Sequence, residues 1–215
     1  EEDMEVVGAY RWRATGAGGQ PCVAVSELYS HELFGFTDAF TPVLAQGLEL
    51  GRSFIQPKYW GRRSLDYLWY GIGAYLKTRP DIRYLFGPVS ISQACPPHAL
   101  AMLVYFSSRY FPPRAFSANA RLPYRIDAEK QLELSRMFNA GNYQDDFCTL
   151  KDQLQQMGLA VPTMYKQYTE LCERGGVEFI DFNVDPAFAN CIDGLVVVDL
   201  QKVKKAKLNR YMCGE

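Results

Sequence analysis

Gly47-Leu48-Glu49-Leu50-Gly51-Arg52-Ser53-Phe54-Ile55 is the stretch on which the fold turns. Its β-forming residues predict a strand, and glycines on either side of a glutamate suggest a bulge or a close backbone approach. In a regular strand Glu49 and Arg52 would point to opposite faces, because side chains alternate. A bulge at Gly51 would bring them to one side and free backbone amides to polarise a carbonyl.

Downstream, Lys58-Tyr59-Trp60-Gly61-Arg62-Arg63-Ser64 reads as a loop after Pro57. Ser64 is suited to cap a helix whose apolar positions Leu65, Leu68, Trp69, Ile72 and Leu76 keep 3.6-residue spacing and stop before Pro80. Residues 82–92 look like a buried strand, and Pro96-Pro97 opens a second apolar helix through Ala99, Leu100, Leu103, Val104, Phe106 and Tyr110. This strand, helix, strand, helix order predicts an α/β fold: a mixed central sheet with helices on both faces. Pro112 and Pro113 end the second helix, and two polar helical stretches, 127–138 and 145–157, predict a helical insertion over about 112–158. Thr163 reads as the cap of a helix running to Arg174, Gly175-Gly176 stop it, and 177–182 and 195–200 read as short strands. Upstream, 5–13 reads as a strand and Gly16, Gly18, Gly19 and Pro21 as a loop, while 26–40 mixes aromatic and acidic residues without a readable conformation. A length of 215 residues predicts a single domain with an insertion over 1–215, and the abrupt start without an initiator methionine predicts a piece of a longer protein.

The 215 residues are 48% hydrophobic and 22% charged, which excludes a disordered, collagen-like or coiled-coil chain. Lysine and arginine total 23 against 24 aspartates and glutamates, so the net charge of −1 gives no global reason to bind nucleic acid. The longest apolar run, 99–106, is far short of the ~20 residues that cross a bilayer. Six cysteines without a C-x-x-C pair suit reduced thiols in the cytoplasm. Two histidines, His31 and His98, cannot build a three-histidine site, so no metal is expected, and neither histidine begins an H-x4-D acyltransferase motif. Gly16-Ala17-Gly18-Gly19 and Gly71-Ile72-Gly73 both fail as phosphate or dinucleotide fingerprints.

The sharpest local signal is the Glu49/Arg52 strand followed by a Gly-Arg-Arg-Ser turn at a helix start. Free amides there, helped by Arg62 and Arg63, make an anion site suited to a phosphopantetheine or coenzyme A tail. A solvated charged turn is the alternative for the arginines, and a structural ion pair is the alternative for Glu49 with Arg52.

Four segments carry a family resemblance: Glu49-Leu50-Gly51-Arg52-Ser53, Gln56-Pro57-Lys58-Tyr59-Trp60, Ser64-Leu65-Asp66-Tyr67-Leu68-Trp69-Tyr70-Gly71-Ile72 and Tyr84-Leu85-Phe86-Gly87-Pro88-Val89-Ser90-Ile91-Ser92. Together they resemble the N-acyltransferase branch of the GNAT superfamily. That branch includes the ornithine-lipid-forming enzymes, also labelled hemolysins, and is related to acyl-homoserine-lactone synthases, which share an acidic-x-x-Arg strand. The 194–210 ending is similar to the end of the same bacterial proteins.

The resemblance implies transfer of a long 3-hydroxyacyl chain from acyl carrier protein to the α-amine of an amino acid such as ornithine, giving a lyso-aminolipid. It implies a domain that lacks its first strand and helices here, and no permanently bound cofactor. The co-substrate would be the acyl-phosphopantetheine of acyl carrier protein, or acyl-coenzyme A. Glu49 is the expected general base and Arg52 its partner or the holder of the acceptor carboxylate. Gly61, Arg62, Arg63 and Ser64 are expected at the donor, and Ser90 and Ser92 at the acceptor. Arg63 stands where the family's pyrophosphate loop has its second glycine, which favours a donor carried on an acidic protein.

The chemistry needs a neutral amine against a polarised thioester carbonyl, since a thiol of pKa about 8.5 leaves with little acid help. Tyr105 is a candidate acid for which core packing is the plainer reading, and His98 reads as a helix-start residue. Leu33, Phe34, Phe36 and Phe40 fit either an acyl tunnel or core packing. The basic ending, Lys202, Lys204, Lys205, Lys207 and Arg210, interleaved with Val203 and Leu208, suits the inner-membrane surface as well as a solvated face. Two rival functions remain open: an acetyl-coenzyme A N-acetyltransferase, and a non-catalytic membrane- or partner-binding module.

Overall fold

The computed structural model describes residues 5–213; the acidic start 1–4, residues 214–215 and the thiol of Cys213 lie outside the described residues. The chain runs through β1 (Gly8–Ala14), the small hairpin β2 (Gly16–Ala17) and β3 (Gln20–Pro21), then α1 (Tyr29–Leu33), β4 (Phe34–Phe36) and α2 (Thr41–Ala45). Next come β5 (Gly47–Ile55), α3 (Ser64–Thr78), β6 (Tyr84–Ile91), α4 (Pro97–Tyr110) and β7 (Ala118–Ala120). Helices α5 (Ala128–Met137), α6 (Tyr143–Gln156) and α7 (Thr163–Thr169) precede β8 (Val177–Asp185), β9 (Cys191–Asp199) and α8 (Lys205–Leu208).

The central sheet has the order β1-β5-β6-β9-β8 and is mixed, as expected. Only β5 and β6 are parallel, and their ladder covers just Gly47↔Tyr84, Leu48↔Leu85 and Glu49↔Phe86. Beyond that point the two strands part. Gly87 marks the parting: a Cβ there would lie 2.0 Å from the Leu50 carbonyl oxygen. Pro88 follows, a residue without a ladder donor, of the kind admitted where a strand edge goes unpaired.

Helices α3 and α4 bury Trp69, Ile72, Leu76, Leu100, Met102 and Leu103 against Leu48, Leu50, Leu85 and Ile91 on one sheet face. On the other face Leu28, Leu33, Phe34, Phe40 and Val43 meet Tyr84, Phe86, Leu195 and Val197. Phe36 and Phe40 stack at 4.4 Å within this second core, so these aromatics serve packing. The 112–158 segment holds the two expected helices, capped by Asp127 and Asn142. Leu134, Phe138, Leu150 and Leu154 enter the main core, and β7 pairs with β4.

Several expected boundaries move, each for a local reason. Ser64 is the first residue of α3 and Arg63 occupies its cap position, while the Ser64 hydroxyl reaches back to the Tyr59 carbonyl at 3.4 Å. Thr163 likewise opens α7 without capping it, Pro162 holding that position. Helix α7 ends at Thr169 and not Arg174 because the following backbone pairs with the C-terminal segment. There the Glu173 amide donates to the Lys202 carbonyl at 2.8 Å, and that of Lys204 to Leu171 at 3.0 Å. Strand β9 begins at Cys191, well before the expected 195, because β6 and β8 satisfy its backbone on both sides.

Candidate functional site

The bulge in β5 falls one residue later than expected. Ala9 and Arg11 of β1 face Phe54 and Gly51, so β5 carries one extra residue, and Arg52 takes it up with a left-handed φ of 50°. Gly51 itself needs no such conformation. Glu49 and Arg52 do meet the same short helix, α1, but at consecutive residues and without pairing with each other. Glu49 is 3% exposed, and its Oε1 accepts the Ser30 amide and the Ser30 hydroxyl, each at 2.7 Å. Arg52 is exposed, with its guanidinium 4.9 Å from the centre of the Tyr29 ring.

The parting of β5 from β6 opens a cavity of about 240 Å³ through the sheet. Arg52 and Ser53 of β5 line one side and Pro88, Val89 and Ser90 of β6 the other. Tyr29 contributes from the α1 face, and Tyr10, Met164 and Tyr168 from the opposite face. The Tyr10 and Tyr168 hydroxyls are 2.8 Å apart, and burial pushes Tyr10 up to about 12. The Tyr29 hydroxyl donates to Asp185 at 2.8 Å; burial and that carboxylate both raise its pKa.

A second cavity of about 430 Å³ adjoins the first, sharing Ser53 and Met164. Its far wall is the turn into α3, with Gly61, Arg62 and Ser64, and its apolar side is Leu65 and Leu68. Gly61 holds a φ of 72°, which a side chain adopts only at a cost. Among the described residues the Arg62 side chain forms no ion pair and lies 5.9 Å from the Tyr59 ring. Arg63 turns along the helix instead, 3.7 Å from Asp66 and 3.4 Å from the Tyr70 hydroxyl. Phe54 and Trp60 stand exposed at the cavity mouth.

The expected residues therefore separate. Arg52, Gly61, Arg62, Ser64 and Ser90 line the joined cavities, whereas Glu49, Arg63 and Ser92 do not. Glu49 is spent on α1, and Ser92 lies beyond the cavity, accepting the Ala94 amide in a turn. Tyr105 stacks on Phe138 at 5.9 Å in the core. His98 faces Lys130 and Glu133 on the α4/α5 surface. Arg210 and Tyr211, from the basic ending, bond Asp66 at the start of α3, so that part of the tail is an anchor.

Sequence reading missed Tyr10, Tyr29, Tyr168, Asp185 and Asp193. Asp193 is 1% exposed, faces Ser90 across the β6/β9 ladder and accepts its hydroxyl proton. Burial raises its carboxyl to about 6, with Asp185 adding to the rise and Ser90 opposing it. The only sequence signal for the opening was Gly87-Pro88 inside an otherwise regular strand.

Residues 1–70 match the family model of the Acetyltransferase (GNAT) domain. The chain is similar to a glycine N(alpha)-acyltransferase of Bacteroides thetaiotaomicron, 28% identical over 79% of this chain and 52% of that protein. It is also similar to one of Phocaeicola vulgatus, 25% identical over 79% of this chain and 54% of that protein. The chain thus spans about half the length of the curated relatives it matches. No solved structure matches it. Residues 1–70 are thus similar to a GNAT domain, and the chain over most of its length is similar to proteins named as N-acyltransferases.

Proposed function

We propose that this chain carries the acyl-transfer centre of an N-acyltransferase that moves a long acyl chain from a thioester to the α-amine of an amino acid. One observation carries the reading: two cavities joined at Ser53 and Met164, one entered past the cationic start of α3 and the other past Arg52. The first suits a phosphopantetheine arm, with Arg62 and the α3 amides for its phosphate and Leu65 and Leu68 beside its apolar part. In the second, Arg52 takes the acceptor carboxylate and leaves the amine facing β6. Open backbone groups of β5 past Glu49 are available to hold the donor as a strand would.

Glycine is the first acceptor in this proposal, since both relatives are named for it and the acceptor cavity is small. Ornithine is the second, because Asp185 lies close by as a counter-charge for a longer cationic side chain. Acyl carrier protein is the preferred donor, its acidic surface meeting Arg62 beside exposed Phe54 and Trp60; acyl-coenzyme A is the alternative. The lipid product argues for reaction in the cytoplasm at the inner-membrane surface, with Lys205 and Lys207 near the lipid. No described helix is long and apolar enough to cross a membrane. Glu49 supports α1 in this scheme and does not touch substrate.

The test is acyl transfer by the full chain from a long-chain acyl thioester, on carrier protein and on coenzyme A, to glycine and to ornithine, read by mass spectrometry. An N-acyl amino acid supports the proposal. Transfer of acetyl groups alone would favour an N-acetyltransferase, and absence of any product would reject the reading.

A further inference from the structure

Among the described residues, Asp193 is the one buried carboxylate with an oxygen that no partner satisfies. Glu49 has Ser30, and Asp185 has Tyr29 together with the Ala187 and Phe188 amides. Asp193 has a single partner, the Ser90 hydroxyl on its Oδ1, and its buried Oδ2 has none. A carboxylate buried with one oxygen unsatisfied is costly, and such a cost in a native fold calls for a use. Ser90, by contrast, is exposed and lines the acceptor cavity on the wall across from Arg52.

We propose that Ser90 and Asp193 together take the proton from the incoming amine, Ser90 touching it and Asp193 storing the proton behind the cavity wall. The inference rests on the acyltransferase reading above. An amino-acid acceptor arrives as an ammonium ion with its carboxylate on Arg52. Its first proton passes to the Ser90 oxygen as the Ser90 proton moves to Asp193, leaving a neutral amine and a carboxylic acid. The amine lone pair then forms the C–N bond, the C–S bond breaks, and the second amine proton goes to the departing thiolate. Asp193 returns its proton to solvent through Ser90 once the product leaves. The net products are amide, thiol and one proton.

Asp193 sits at about 6, so it is ionised and able to accept at neutral pH. Asp185 at the end of β8 raises it further, and burial is the main cause. The other titratable groups around it are Tyr29 on α1, Tyr165 on α7 and Cys191 on its own strand, all held in their neutral forms by burial, and Arg52 of β5 faces Tyr29.

The experiment is the pH dependence of kcat for the full chain and for Asp193→Asn and Ser90→Ala. The wild type is expected to lose activity below about pH 6. Asp193→Asn is expected to lower kcat about 100-fold or more, leave KM for the amino acid within a few-fold, and abolish that acid limb. Ser90→Ala, at an exposed position, is expected to fall comparably and keeps the test alive if the Asp193 variant does not fold. An acid limb that persists in Asp193→Asn, or an unchanged kcat in Ser90→Ala, overturns the relay while leaving the acyltransferase reading intact. A wild type without any acyl transfer overturns both.

Discussion

Ser30 closes on Glu49 with its backbone amide and its hydroxyl, each 2.7 Å from the same carboxylate oxygen. The residue before it, Tyr29, bonds Asp185 and lies under the Arg52 guanidinium. A single turn of helix is thereby fixed over the sheet opening, and with it one wall of the cavity proposed for the acceptor. Short helices have little stability of their own, so this clamp and burial in the second core decide where Tyr29 stands.

Glu49→Gln is therefore expected to act on stability. Weakening two hydrogen bonds to a buried charged acceptor costs about 1–3 kcal/mol, measurable as a lower urea midpoint at constant slope. Activity should fall only through a loosened α1, with the acid limb of its pH profile in place. A loss of that limb in Glu49→Gln would instead make Glu49 the base.

Arg52 stands in a left-handed conformation that glycine adopts freely. Arg52→Gly is expected to relieve about 1 kcal/mol of backbone strain and yet raise KM for the amino acid at least 10-fold, with KM for the thioester little changed. Arg52→Lys should recover part of the acceptor affinity, because it keeps the charge and loses the bidentate fork. Parallel KM values for both substrates check the assignment.

At the donor end, Gly61 faces open space but holds a φ of 72°. Gly61→Ala is expected to cost about 1 kcal/mol of stability for backbone reasons alone and to shift the turn that aims Arg62. The kinetic signature is a raised KM for the thioester. Arg62→Ala should raise the same constant without the stability loss, more at low salt than at high salt.

Asp193 links function to stability through pH. Its folded pKa of about 6 lies above the ordinary aspartate value, so the native state binds the proton more tightly than the unfolded chain does. Asp193 should therefore contribute a loss of stability of roughly 3 kcal/mol as pH rises from about 4 to about 6, read as the difference between the wild type and Asp193→Asn. Asp193→Asn should remove this slope. Urea midpoints for both proteins across that window check it, and a difference between them that does not change with pH would contradict the raised value.

The strands and helices that flank the Gly61-Arg62 turn were legible because their signals are local. Apolar spacing wrote α3 and α4, prolines ended them, and β5 stood out by composition. The Gly61-Arg62 turn could be placed at a helix start for the same reason. Residues 26–40 resisted reading because α1 spans only Tyr29–Leu33 and owes its position to Glu49 and Asp185, distant in sequence.

What the sequence determined alone was the order of the elements, the mixed α/β class and the cationic turn, each set by periodicity, capping and turn chemistry within a few residues. Tertiary structure alone decided which carboxylate is consumed by packing and which stands behind the cavity. Glu49 looked like the reactive group because it shares a strand with Arg52, but its environment comes from Ser30. Asp193 gave no local sign, since its burial, its unsatisfied oxygen and its contact with Ser90 arise only when β9 enters the sheet beside β6. A carboxylate's proton affinity depends on the solvent and charges around it, and those are assembled by contacts between strands a hundred residues apart.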